Sequence, residues 1–506
     1  MMAHTLNMKR LLSERPCRAV LDCDSDEFTE AAGLLLKGGY RLALVSARHD
    51  GAVLEVVYLF VDGPPDQRIE LRVLLDAHQP RLPSIAHLSF AAGRFEREMH
   101  DLFGVQPIGH PQLRRLVLHQ HWPLGWHPMR KDAGPQPPMN LDADSFPFAR
   151  VEGEGVYEIP VGPVHAGVIE PGHFRFWVLG ETIVRMKARL WFVHKGIERL
   201  FEGQDLAFAL NLSEKISGDS AVGHGLAVAQ AVEEALGIEV GQRARELRAV
   251  LLELEHLYNH VADVGALCND VGFGFANARA LTLRERLLTL NDSVTGHRLL
   301  RGGVHYGGAT LRALPTREEL EDIGTQFHEL VALARSNSIV MDRFTGTGVL
   351  SIDQARDLGV LGVVARASGL NDDARVAHPF VGLPASFRSV SREGGDVLAR
   401  FEVRCDEVDA SLRLLADLVA REGPLDVHGD EVELREGHGT GIAEGWRGAV
   451  VHRVDFGPDG ALCRVKIVDP SFFAWPALPL ALTDTIVPDF PLVNKSFNLS
   501  YAGNDL

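Results

Sequence analysis

Two different periods of apolar and polar positions run along this chain, and the change from one to the other divides it. Residues 52–61 are β-branched and aromatic, bounded by Asp50-Gly51 and by Asp62-Gly63-Pro64-Pro65, which predicts a buried strand. Residues 69–75 begin with strict alternation and predict a second strand. A helix is predicted from Phe28 to Lys37, stopped by Gly38-Gly39. Residues 1–132 therefore read as a small mixed α/β domain. Gly134-Pro135-Gln136-Pro137-Pro138, followed by Asp142, Asp144 and Gly153, reads as an extended linker over 133–155. Residues 156–506 form the second part, opening with a strand over 156–162. From about 178 to 345 the period becomes helical. The clearest case is 240–269, with apolar residues at 247, 250, 251, 254, 257, 261 and 264. Further helices are predicted over 178–201, 220–236, 280–300, 316–336 and 396–419. Strands return at 449–456 and 462–468, with Asp459-Gly460 as the turn between them. The fold class is α+β: a small N-terminal mixed domain, then a helical bundle with flanking β-sheets.

Composition narrows the function. A net charge of −17 without a basic tract argues against nucleic-acid binding. No apolar run reaches the roughly 20 residues that span a bilayer. Residues 1–16 mix Lys9, Arg10, Glu14 and Arg15 and lack the apolar stretch of a secretory signal. The five cysteines (Cys17, Cys23, Cys268, Cys405 and Cys463) form no C-x-x-C pair, which suits a reducing compartment and mostly buried thiols.

Several dense motifs carry the chemistry. Residues 96–104 read Glu-Arg-Glu-Met-His-Asp-Leu-Phe-Gly; Gly109-His110-Pro111-Gln112-Leu113-Arg114-Arg115 and Arg130-Lys131-Asp132 follow. By composition this is a charged surface whose arginines suit ion pairs between subunits. The order of the motifs resembles the 30-kilodalton subunit of respiratory complex I, a docking module, and the resemblance implies an interface role for Arg114 and Arg115. Residues 162–176 hold His165 and His173 among three glycines and two prolines. This segment resembles a hairpin of group 4 membrane-bound hydrogenase large subunits and the complex I segment whose histidine faces the quinone headgroup. His194-Lys195-Gly196-Ile197-Glu198-Arg199 resembles a motif of both families and makes Glu198 a candidate proton carrier.

The resemblance to nickel–iron hydrogenase large subunits and to the 49-kilodalton subunit of complex I spans most of the rest of the chain. It breaks at one kind of position. Ser217 and Ser220 stand where hydrogenases carry Cys-Gly-x-Cys, and Ser471 and Ala474 stand where they carry the C-terminal cysteine pair. A serine hydroxyl does not replace a thiolate on nickel and iron. The resemblance thus names an oxidoreductase machine while the residues remove its metal centre. Gly218 replaces the quinone-binding tyrosine of complex I, whereas His224 matches a histidine shared with it. His256 and His260 lie one helical turn apart and could hold zinc, but H-E-x-x-H is absent and no third ligand is evident. The plainer reading is the core-helix signature E-L-x-R-x-x-N-H of the large-subunit family, with His256 at the arginine position. Arg298 and Arg301, before Gly302-Gly303, resemble the turn that lies toward the terminal iron–sulfur cluster in complex I. The resemblance implies binding of NAD by the complex, but the chain shows no full dinucleotide fingerprint.

These readings lead to a subunit of a membrane-associated, ion-translocating oxidoreductase complex. It would be cytoplasmic, peripheral to the cytoplasmic face of the inner membrane. It would sit on an iron–sulfur small subunit above antiporter-like membrane subunits and bind no cofactor itself. Partner iron–sulfur clusters and a quinone are the implied redox groups, and a nickel–iron centre is not expected. Two readings stay open. In one, a cavity with His173, Glu198 and His224 passes protons or electrons to a quinone or other acceptor. In the other, the chain is a redox-silent scaffold. The tail 487–506, with its aromatic and polar residues, is expected to be an ordered arm lying on a partner.

Overall fold

The computed structural model describes residues 17–142, 146–148, 150–166, 169–429 and 432–506. The expectation for residues 1–16 lies outside these, as do Asp144 of the linker and Gly167-Val168 of the hairpin.

The N-terminal part is built on a four-stranded sheet in the order Arg18–Asp22, Gln67–Asp76, Val53–Asp62, Arg41–Asp50, with only the first pair parallel. Its helices are set by local signals. Asp24 accepts from the backbone N–H groups of Asp26 and Glu27 to start Ser25–Lys37. Ser89 caps Phe90–Phe103, and Gly104 ends it in the left-handed region, at φ 77°. Among the described residues, 133–155 contribute neither helix nor strand.

The second part surrounds the Gln242–Asp270 helix, which is buried on nearly every face by Gly274–Thr295, Val397–Val419 and Phe490–Phe497. Beside this bundle lies a three-stranded antiparallel sheet of Gly437–Gly445, Gly448–Phe456 and Leu462–Val468. The Ala221–Leu236 helix packs directly onto its first strand. Gly437, Gly439 and Gly441 share one strand face, and a Cβ on any of them would run into the carbonyl of Ala235, Ala231 or Ala227. The absent side chains allow backbone to lie on backbone.

The two parts share apolar packing. The cluster around the N-terminal sheet includes Leu361, Ile442, Val451, Phe472 and Phe473 of the second part. Phe95 stacks on Phe472 with ring centroids 4.5 Å apart. Buried ion pairs cross the same seam: Arg453 donates to Glu70 at 3.0 Å and Lys466 to Glu98 at 2.6 Å.

Two sequence expectations are corrected. Residues 178–201 are not a helix. His173–Leu179 and Thr182–Arg189 form an antiparallel hairpin, and only Ile197–Leu200 is helical. Phe174, Phe176 and Val178 face the core with period two, and Gly180 turns the chain at φ 61°. The tail is not an arm on a partner. Phe490–Phe497 and Tyr501–Asp505 fold onto their own chain, and Leu506 is buried. The backbone N–H of Lys195 donates to the Leu506 carbonyl oxygen at 2.7 Å.

Candidate functional site

The substituted ligand positions do meet in space. Ser217 and Ser220 lie in the turn before the Ala221–Leu236 helix, and Ser471 and Ala474 lie in the short helix Pro470–Ala474. Ser500 bridges the two segments: its hydroxyl is 2.9 Å from Ser217 Oγ, and its N–H donates to Ser471 Oγ at 2.9 Å. Ser217 also donates to Asp219 Oδ1 at 3.0 Å. Three hydroxyls thus satisfy one another and the adjacent backbone where a metal centre would need four free thiolates. Hard, protonated oxygens and one methyl group do not fit nickel and iron.

An ion pair closes the same place. Arg447 donates to both carboxylate oxygens of Asp219, at 2.7 and 2.8 Å, and lies over the Trp446 ring at 3.9 Å. Burial works against the charged carboxylate, but Arg447 and the hydroxyl of Ser217 hold Asp219 at about 2. Close by, Glu255 accepts from the N–H groups of Val222 and Gly223 at 2.7 and 3.0 Å. Burial nevertheless pushes its carboxyl up to about 8, so it is protonated at neutral pH.

Behind the serines runs a buried chain of three groups. His224 Nε2 is 3.3 Å from Asp469 Oδ2, and His224 Nδ1 is 2.9 Å from His452 Nε2. Burial disfavours the Asp469 carboxylate, yet the His224 contact and Arg447 keep it ionised. An ionised Asp469 accepts from Nε2–H of His224, and the other ring nitrogen, Nδ1, shares a hydrogen bond with His452 Nε2. His452 Nδ1 is left without a partner. Burial and the neighbouring His224 hold His452 well below the usual histidine range.

Glu198 is held in a buried ion-pair cluster. Its carboxylate accepts from Arg464 at 2.6 Å, Lys466 at 3.1 Å and the Ile467 N–H at 3.0 Å. Burial opposes its charge, and the two cations overcome that and hold it low. Glu98, across Lys466, is raised by burial. Both carboxylates line a cavity of about 310 Å³ whose apolar wall includes Phe95, Trp122, Trp191 and Phe472, and which also touches Asp469. Glu198 and His224 therefore flank one region through Asp469. His173 lines another, shallow groove with His119, His121 and Phe148, its Nδ1 3.2 Å from the Gly162 carbonyl and its Nε2 without a partner.

The arginine positions are mixed. Arg298 makes a bidentate pair with Glu285 on the surface, at 2.7 and 2.8 Å. Arg301 keeps a buried Nε without an acceptor. The Arg115 guanidinium donates to the carbonyls of His119, Trp122 and Pro123 and so organises its own loop, whereas Arg114 is exposed. The sequence motifs gave no place to Asp219, Glu255, Arg447, His452 or Ser500. Their signal was polar residues in apolar surroundings: Arg447 beside Trp446, and His452 inside a strand of valines.

Residues 21–138 match the family described as the respiratory-chain NADH dehydrogenase 30 Kd subunit, and residues 270–427 match the 49 Kd subunit. Formate hydrogenlyase subunit 5 of Escherichia coli K12 is 34% identical over 457 residues, which cover 86% of this chain and 79% of that protein. Hydrogenase-4 component G of the same organism is 33% identical, covering 88% and 80%. The C/D subunit of the NADH-quinone oxidoreductase of Bacteroides thetaiotaomicron is 29% identical, covering 73% and 75%. Among solved structures, a chain of an archaeal membrane-bound sulfane sulfur reductase superposes with a TM-score of 0.62 at 24% identity, covering 70% of this chain and 99% of that one.

Proposed function

Since the chain belongs to the family of fused complex I 30- and 49-kilodalton-type subunits that includes formate hydrogenlyase subunit 5 and hydrogenase-4 component G, we propose that it works in a membrane-associated, ion-translocating oxidoreductase complex without a nickel–iron centre of its own. One observation carries this reading: the serine hydroxyls at the ligand positions are hydrogen-bonded to one another through Ser500, and Arg447 and Asp219 form an ion pair beside them. In this role the chain couples an iron–sulfur subunit to antiporter-like membrane subunits, with Arg114 and the Arg301 turn as contact surfaces. No helix among the described residues is long and apolar enough to cross a membrane, so attachment would run through partners.

The test is elemental analysis of the purified complex together with a hydrogen-uptake assay. Iron accounted for by partner clusters, with no nickel, supports the reading. Nickel near one atom per chain, with hydrogen turnover, overturns it.

A second reading keeps a redox step with a small acceptor. It is favoured by the apolar cavity with Glu98 and Lys466 in its wall and the Asp469–His224–His452 chain beside it. Sulfane sulfur reduction, the activity for which the solved relative is named, is one such chemistry, and reduction of a quinone is another. Under this reading His224→Phe abolishes turnover of an assembled complex. Under the scaffold reading it leaves turnover intact.

A further inference from the structure

A second buried polar cluster lies between the Gln242–Asp270 and Val397–Val419 helices, and the serine site does not use it. His256 and His260 point toward Glu407 of the Val397–Val419 helix, and all three are 0% exposed. One ligand atom from each lies within 4.8 Å of the others. The sequence showed the two histidines without a third ligand; the fold supplies it from a helix about 150 residues further on.

The three groups present unused lone pairs. His256 Nε2 lies 2.8 Å from the Glu444 carbonyl oxygen, and only a donor can bond there. The ring proton is therefore on Nε2, and Nδ1 is a bare acceptor without a partner. A ring nitrogen donating to a backbone carbonyl while the other stays bare is the usual arrangement of a metal-ligating histidine. Neither nitrogen of His260 has a partner, and Glu407 Oε1, although 3.3 Å from Arg366 Nη2, accepts no hydrogen bond. Buried acceptors of this kind are costly when left unmet. Three of them converging call for a common occupant.

Charge decides its sign. Glu253, Asp373, Glu407 and Glu444 surround the cluster, with Arg366 and Arg375 as their cations. Four carboxylates face two guanidinium groups, so acidic groups outnumber cations in a buried region. Arg404 does not supply it, since it is committed to Asp263 at 2.9 Å. A water would satisfy lone pairs but not the charge. His256 also stands where the resembled helix signature carries arginine, so this chain exchanges a cation for a ligand at the position where a cation is missing.

We propose that His256, His260 and Glu407 bind one divalent transition-metal ion, zinc by preference, which ties the two central helices together. Two imidazoles and a carboxylate are a known zinc donor set, with a fourth position for water. Arg366 Nε and Nη2, which also lack hydrogen-bond acceptors, suit an oxygen ligand there. Tetrahedral ligands around zinc sit about 3.4 Å apart, a spacing compatible with atoms that lie within 4.8 Å of one another.

The test uses the purified full-length chain, stripped of loosely held metal by a chelator and gel filtration and then assayed for metal content. The wild type is expected to keep about one zinc per chain, and His256→Arg and His260→Gln to lose at least about tenfold of it. His256→Arg restores the charge that the cluster lacks, so it should stay folded, with unchanged circular dichroism and elution volume. His428→Ala addresses the exposed His305–Asp426–His428 group, where a surface ion could collect, and should leave the content unchanged. X-ray absorption at the metal edge should show two imidazoles and oxygen. Iron or manganese lost with the same substitutions also supports the site. A wild type without metal even from zinc-supplemented cells, a His256→Arg chain that keeps it, or loss with His428→Ala instead would each refute the proposal.

Discussion

The Asp219–Arg447 pair can be tested as a number. Lowering the Asp219 carboxyl from its ordinary 3.8 to about 2 corresponds to roughly 2.5 kcal/mol of preference for the charged form at about 1.4 kcal/mol per factor of ten. Asp219 is 39% exposed, so solvent screening reduces the part owed to the pair to about 1–1.5 kcal/mol. The perturbation is a double-mutant cycle of Asp219→Asn, Arg447→Gln and both together, followed by urea unfolding of the purified chain. The interaction term should be about 1–1.5 kcal/mol, larger than the few tenths typical of an exposed pair. The pH dependence has a definite sign. A carboxylate held low in the folded state stabilises fully above its unfolded value, and that contribution is lost as pH falls through the folded value. The interaction term should therefore be flat above about pH 5 and fade from about pH 4 downward. A term below about 0.3 kcal/mol at neutral pH, or one that grows on acidification, would refute the claim that this pair closes the site.

Other consequences are as direct. Glu198→Gln leaves Arg464 and Lys466 buried with half their counter-charge and should cost about 3–5 kcal/mol in urea unfolding; a loss under about 1 kcal/mol would show that Glu198 is not an anchor. Gly441→Ala sets a Cβ against the Ala227 carbonyl and should yield insoluble chain, whereas Gly382→Ala, in open space, should be neutral by expression and melting temperature. Native maleimide labelling at neutral pH should modify Cys17 and spare Cys23, Cys268 and Cys405, whose thiols are buried and pushed up by burial, the first two to about 11 and about 12. Labelling of Cys268 in the folded chain would contradict the packing of the central helix.

The elements with one clean period were legible in the sequence. The Gln242–Asp270, Arg317–Ser336 and Val397–Val419 helices lie within two residues or so of the sequence reading. The hairpin at 173–189 was lost because Val178 to Arg189 is too short to separate alternation from a helical stripe, and its turn rests on the single Gly180. The meeting of Ser217 with Ser471 followed from resemblance, but Ser500, which joins them, belongs to the tail that the sequence reads as an arm on a partner. Asp219 and Arg447 lie 228 residues apart, and no local pattern encodes that contact. Glu198 is a candidate proton carrier by the resemblance of its motif, but its ion pairs with Arg464 and Lys466 come from the Leu462–Val468 strand, and no local pattern encodes those contacts.

The five residues Pro470–Ala474 face two ways. Asp469 and Ser471 belong to the hydroxyl-and-histidine centre, while Phe472, next in the chain, stacks on Phe95 of the N-terminal sheet's helix. One short helix thus carries contacts to the centre and to the other half of the protein, so a substitution that shifts it would disturb both. Phe95 and Phe472 therefore form a joint at which a change of size on one side has to be met by the other.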